Sequence, residues 1–268
     1  MVERQIKYFD LGQICDSGQC FRMMREEENT YAVCAADRML RVTQVGEKCT
    51  FHCDENEFQD FWKDYFDLEE NYGKYIGQIN PRDEYLVEAA KFGSGIRILR
   101  QDLWEMIVSF LISQQNHIGR IRRCIQNICE AYGEKKTAPD GTVYYAFPEP
   151  KALAGLDDEA LKECNLGYRS KYVVRAAKSA ALGEISLEHI QGLPYPKAKE
   201  ALMGFYGVGT KVADCICLFA LHQMDAFPVD THISQVLAQH YKRGFPNRRY
   251  KGFRGVMQQY LFYYSLKG

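Results

Sequence analysis

Lys211 and Asp230 are the residues of this 268-residue chain whose types and spacing could do chemistry together. Lys211 lies in Gly207-Val-Gly-Thr-Lys-Val-Ala-Asp214, and Asp230 ends the tripeptide Pro228-Val-Asp230 nineteen positions further on. A cation in the first turn of a helix opposes the macrodipole, and beside apolar neighbours it loses solvation. Both effects favour the neutral amine, which is a nucleophile. A carboxylate brought to the same place would complete a two-residue site.

The elements that must position this pair can be read around it. Residues 194–202 have helical spacing ended by Gly204, and Gly207 and Gly209 bracket a tight turn that opens a second helix at Thr210. The second helix is expected to run to Leu221. Val212, Ala213 and the run from Cys215 to Leu221 make it apolar almost all round, hence central and buried. Its length would be about 18 Å, and the nine residues from His222 to Asp230 can span up to about 30 Å. The chain can therefore return to the helix start, with Asp230 held as the N-cap of a helix beginning at Thr231.

Two phosphate-binding motifs are excluded. A Walker A loop needs Gly-Lys-Ser/Thr, but the order is Gly209-Thr210-Lys211-Val212, and a dinucleotide fingerprint needs a third glycine and a preceding strand. What is left is a helix-hairpin-helix whose free backbone N–H groups, around Gly207 and Gly209, can hold a phosphate of a DNA backbone. A plain glycine-rich turn between core helices is the competing reading.

These residues resemble the helix-hairpin-helix DNA glycosylases, and among them most closely the 8-oxoguanine DNA glycosylases with AP lyase activity. The resemblance rests on 207–218 with Pro228-Val-Asp-Thr-His232, and extends to Ser17-Gly-Gln-Cys-Phe-Arg22, Leu99-Arg-Gln-Asp102, Asn116-His-Ile-Gly-Arg-Ile121, Leu166-Gly-Tyr-Arg169 and Gln258 to Phe262. It implies a base-excision enzyme that flips a nucleotide out of duplex DNA. Lys211 would displace the base, form a Schiff base with the opened sugar and allow β-elimination. Asp230 would stabilise positive charge developing on the sugar. Gly18 would offer its carbonyl to the N7–H that distinguishes 8-oxoguanine from guanine, a close approach that the missing Cβ permits. Gln258 and Phe262, four residues apart, would share one helix face to read and stack on the base, with Cys215 on its other side.

Asn116, Arg120, Tyr168 and Arg169 stand in the blocks that read cytosine on the opposite strand and fill the gap. Gln115 and His117 flank Asn116 where the family has an asparagine-rich run, so the preference for cytosine is less strongly implied than the chemistry. His232 either contacts the lesion's 5′-phosphate or simply belongs to the turn after Asp230. The carbonyls of Met203, Phe205 and Val208 could hold a hairpin cation, although no side chain requires a metal and no cofactor is implied. Two alternatives stay open: a glycosylase for another damaged base, and a non-catalytic helix-hairpin-helix DNA-binding protein.

Composition agrees with a DNA-directed enzyme once the chain is divided. The net charge is −1, but residues 1–80 carry 9 basic and 16 acidic side chains, which leaves 25 and 19 for residues 81–268. After Asp230 there are seven Lys or Arg and no acidic residue, a pattern expected to face DNA. The ten cysteines lack metal-type pairing, and none follows Cys217, which argues against the four-cysteine iron–sulfur loop of related glycosylase branches. No apolar run reaches the roughly 18 residues of a membrane span, and residues 1–5 do not start a signal peptide. A cytoplasmic monomer acting on double-stranded DNA containing oxidised guanine is expected, nucleoid-associated in a prokaryote.

The fold class expected is α+β. Short apolar and polar alternation from Phe21 to Cys53 predicts an antiparallel sheet in a domain of residues 1–80. Residues 81–268 would form a larger helical domain, with helices over 82–92, 102–114, 117–132, 157–164, 169–182, 194–203, 210–221, 231–241 and 248–264. Asn80-Pro81 is the expected join, and 135–141 is expected to be loop.

Overall fold

The computed structural model describes residues 1–268. The first strand, β1 (Val2–Gln5), and a short helix α1 (Leu11–Asp16) lead into β2 (Met23–Glu27), β3 (Thr30–Ala35), β4 (Arg38–Val45) and β5 (Lys48–Phe51). These five strands form one antiparallel sheet in the order β1-β5-β4-β3-β2. In β4 the alternation is plain. Leu40 and Val42 are buried while Arg41 between them points out and pairs with Glu26. The inner face packs on Phe58, Trp62 and Phe66 from a helical stretch that contains α2 (Glu55–Glu57) and α3 (Lys63–Tyr65) joined by one π-helical turn.

The helical region follows with α4 (Tyr72–Gly77), α5 (Glu84–Phe92), α6 (Leu103–Ser113), α7 (Ile118–Tyr132), α8 (Pro150–Ala154), α9 (Ser170–Ala181), α10 (Leu187–Gln191), α11 (Tyr195–Leu202), α12 (Thr210–Phe219), α13 (Thr231–His240) and α14 (Arg254–Lys267). Helices α6 and α12 are buried along nearly their whole length, and Phe110 of one stacks on Phe219 of the other with ring centroids 5.6 Å apart. They form the centre of the larger core.

Several boundaries differ from expectation for local reasons. Helix α12 stops at Phe219 because the chain turns through left-handed His222 (φ +49°). Helix α14 starts only at Arg254, after Gly252 at φ +89°. Residues 157–164 make just one 3₁₀ turn, Ala160–Lys162, before left-handed Asn165 and Gly167. The expected loop over 135–141 holds a two-stranded hairpin, β6 (Lys135–Thr137) with β7 (Val143–Tyr145), tied to the sheet by ion pairs from Arg41 to Asp140 and Lys136 to Asp37.

Buried ion pairs join the sheet region to the helices. Arg22 of the sheet region lies 3.2 Å from Glu105 of α6, both almost fully enclosed. Asp67, also in a left-handed conformation, accepts from Tyr72 Oη and from the guanidinium of Arg100 at 2.9 Å each, and its Oδ2 lies 3.3 Å from His222 Nε2 just past the end of α12. The end of the central helix is thus anchored to the sheet side of the molecule. No helix is long and apolar enough to cross a membrane.

Candidate active site

Helix α12 begins without a side-chain cap. Its N-cap is Gly209, so the first backbone N–H groups stay free. Gly207 turns the hairpin at φ +92°, and a Cβ there would lie 2.8 Å from the Tyr172 ring. Glycine is required on both counts. The two hairpin helices are held together by a buried carboxylate. Asp214 of α12 accepts from Tyr195 Oη at 2.6 Å and from Lys199 Nζ at 2.9 Å, both on α11. Between the helices Phe205 and Val208 are buried and Met203 half-exposed, and Val208 N donates to Phe205 O at 3.0 Å.

Lys211 sits in the first turn of α12, with Nζ 5.5 Å from the centre of the Phe110 ring. One turn on, Cys215 is buried, and burial pushes its thiol up to about 11 against the pull of neighbouring Lys211. Asp230 is the N-cap of α13, its Oδ1 accepting from Ile233 N at 2.8 Å, as the spacing of Pro228-Val-Asp-Thr anticipates. Lys211, Cys215 and Asp230 line one cavity of about 40 Å³, together with Gly18, Gln258 and Phe262 from the two ends of the chain. Phe110, Phe219, Pro228 and Gln259 close it. Hollows of about 520 to 690 Å³ lie elsewhere, but none of these is lined by Lys211 or Asp230. This cavity is distinguished by the residues that converge on it, not by its volume.

Gly18 adopts φ +73°, with the edge of Phe262 against it, 3.2 Å from where a Cβ would be. Its loop is fixed by Gln19, which is wholly buried. The Gln19 side chain donates to Ser17 Oγ and Arg97 O and accepts from Leu99 N, each at 2.9 Å, while Gln101 Nε2 donates to Gln19 O. Gln101 N in turn donates to Phe219 O at the end of α12. Gln258 donates to Pro228 O at 3.0 Å. His232 is exposed and meets the Phe262 ring edge-on, centroids 6.0 Å apart.

Asn116, Arg120, Tyr168 and Arg169 gather in a second group outside this cavity. Arg120 is exposed and donates to Asn165 O, and Tyr168 is 46% exposed with Arg169 4.5 Å from its ring centre. Arg169 itself is buried, and its guanidinium is engaged by the carbonyls of Gln114, Gln115 and Leu166. Asn116 Nδ2 donates to Ile112 O, closing the end of α6. Gln114 links this second group to the hairpin, since its Nε2 donates to Gly207 O at 3.1 Å. Gln19, Gln114, Asp214 and Gln259 are the site residues that sequence reasoning passed over. For Asp214 the signal was available: a carboxylate inside an apolar helix must find a partner.

Residues 1–107 match the family described as 8-oxoguanine DNA glycosylase, N-terminal domain, and residues 108–248 match the HhH-GPD superfamily of base excision DNA repair proteins. The chain belongs to this superfamily. Among solved structures it is similar to the Clostridium acetobutylicum 8-oxoguanine glycosylase/lyase in complex with double-stranded DNA containing cytosine opposite 8-oxoguanine. That match has a TM-score of 0.93 and 38% identity, covering 98% of this chain and 94% of the other. Curated superfamily relatives include the N-glycosylase/DNA lyase of Saccharomyces cerevisiae, 38% identical over 55% of this chain and 42% of its own length. The Arabidopsis thaliana N-glycosylase/DNA lyase OGG1 is 31% identical over 65% of this chain and 48% of its own. The chain spans about half the length of these two curated relatives it matches.

Proposed function

We propose that this chain is a bifunctional DNA glycosylase and AP lyase that removes 8-oxoguanine from duplex DNA. The observation that carries the reading is the meeting of Lys211, Asp230, Gly18, Gln258 and Phe262 around one cavity, from segments far apart in sequence. The hairpin amides around Gly207 and Gly209 hold a phosphate of the lesion strand, with His232 at the backbone nearby. The nucleotide rotates out of the stack toward Lys211. At about 40 Å³ the cavity has room for a few waters only, so Phe262 must swing off Gly18 to admit a purine.

Lys211 attacks C1′ as the bond to the base breaks, and the departing base takes up a proton. The Asp230 carboxylate offsets the positive charge that develops on the sugar. Ring opening gives a Schiff base; loss of a proton from C2′ then expels the 3′-phosphate by β-elimination. The Gly18 carbonyl accepts from N7–H of 8-oxoguanine and repels the N7 lone pair of guanine, while Gln258 reads the opposite edge and Cys215 and Phe262 enclose the ring. Its raised thiol keeps Cys215 uncharged against the base.

Tyr168 wedges into the vacated stack, and Asn116 and Arg120 read the orphaned base, which favours cytosine. Arg169 holds the carbonyls that shape this loop. A monomer suffices, because every group comes from one chain, and neither a cofactor nor a cation in the hairpin is needed for the steps above. The test is single-turnover release of free base from a duplex with 8-oxoguanine opposite cytosine, against the same duplex with guanine. Base release and a nick from the lesion alone support the reading; no base release from any lesion duplex refutes it.

A further inference from the structure

We propose that Gln259, the residue after the expected base reader, is a second specificity-determining residue, whose side-chain oxygen accepts a hydrogen bond from the 2-amino group of the bound base. The inference rests on the proposed 8-oxoguanine glycosylase reading and deepens it.

Gln259 is 3% exposed, lines the cavity with Lys211, and its Oε1 is completely enclosed without a hydrogen-bond partner. The orientation of both amides follows from the network. Pro228 O can only accept, so the nitrogen of Gln258 must face it, at 3.0 Å. The oxygen of Gln258 then faces Gln259, whose nitrogen must donate to it, at 3.2 Å. The oxygen left over is Gln259 Oε1. Turning either amide over would set two acceptors or two donors against each other.

A buried carbonyl oxygen with no donor is destabilising in the free protein, because its lost hydration is not replaced. Gln259 belongs to the cavity wall, so its unmet acceptor is one that a base can satisfy once Phe262 has moved to admit it. The cavity wall around it is otherwise largely hydrocarbon, from Phe110, Phe219, Pro228 and Phe262. The second lone pair of Gln258 Oε1 and the unmet Gln259 Oε1 give these neighbouring amides two acceptors to offer one edge of a planar ring admitted to the cavity. Guanine and 8-oxoguanine carry two adjacent donors on the Watson–Crick edge, N1–H and the 2-amino group, whereas adenine carries an acceptor at N1. Gln258 takes N1–H and Gln259 the 2-amino group. The pair of acceptors thus selects a guanine-type edge, while the Gly18 carbonyl selects its oxidation at the opposite side. Helical periodicity hides this role, since neighbouring helix residues point about 100° apart.

The test compares single-turnover excision of 8-oxoguanine and 8-oxohypoxanthine, which differs only in lacking the 2-amino group, each opposite cytosine. The native chain is expected to favour 8-oxoguanine by roughly tenfold or more, because the analogue leaves the Gln259 oxygen unpaired. Gln259→Met, of similar length but without the acceptor, should bring the ratio to near one, because loss of the Gln259 donor to Gln258 falls on both bases alike while only 8-oxoguanine loses a partner for its 2-amino group. Its Tm should stay close to that of the native chain, as the orphan oxygen is gone but Gln258 Oε1 loses its donor. Equal rates on the two bases with the native chain overturn the proposal whether or not the variant folds. A variant that slows both bases equally overturns it too, since Gln259 would then only orient Gln258. If the native chain excises neither base, it is the glycosylase reading itself that fails.

Discussion

Replacing Gly207 by alanine probes the hairpin at its tightest point. The added methyl meets two separate obstacles, the backbone at φ +92° and the Tyr172 ring, whose Cγ and Cδ1 would lie 2.8 and 2.9 Å away. The left-handed backbone costs an L-residue about 1–2 kcal/mol, and overpacking of this kind costs about 1–3 kcal/mol. Gly207→Ala should therefore lose about 2–5 kcal/mol. Tyr172→Ala removes the ring but not the φ requirement, so in that background Gly207→Ala should lose only about 1–2 kcal/mol. Urea unfolding of the four proteins gives the coupling directly, expected at about 1–3 kcal/mol. Binding of undamaged duplex at low salt should weaken in Gly207→Ala, because the amides that hold the phosphate move with the turn. Costs that add to within about 0.5 kcal/mol would refute the reasoning.

Two further outcomes are expected. Asp230→Asn keeps an N-cap of nearly equal quality, so stability should hold to within about 0.5 kcal/mol while single-turnover excision drops about 10²–10³-fold; retention of the native rate would remove Asp230 from the chemistry. Burial alone would raise the Asp67 carboxyl, but the His222 ring 3.3 Å away, the Tyr72 hydroxyl and the Arg100 guanidinium hold it below the usual range. The stability it supplies is therefore present above the unfolded value of about 4 and lost as pH falls below it. Asp67→Asn should be about 3 kcal/mol less stable at pH 7, with the gap to the native chain narrowing in thermal melts below pH 4. A gap independent of pH would contradict this.

The central geometry was legible because it depends on local rules. Glycines at 207 and 209 mark the turn, apolar surround marks α12 as central, and an aspartate ahead of Thr231 marks a cap; each holds in the fold. The sheet was legible from alternation in β3 and β4, but β1 was not, since four residues at an edge carry too little pattern. Short α8 and α10, five residues each, fall below the length at which periodicity can be detected. Partner choice was the least legible layer. Nothing local tells that Arg169 turns inward to the carbonyls of 114 and 115 rather than outward, or that the Gln19 amide braces the Gly18 loop. Those bonds join residues tens of positions apart and exist only once the chain has closed.

Borohydride trapping tests the role of Lys211 most directly. Reduction of a Schiff base formed during reaction with an 8-oxoguanine duplex would leave the protein joined to DNA through a stable amine. The native chain is expected to be trapped, with the DNA remnant on the peptide that contains Lys211, and Lys211→Gln is expected to give no covalent product while still binding the duplex. Trapping that persists in Lys211→Gln, or a remnant found on another amine in the native chain, would contradict the assignment of Lys211 as the nucleophile.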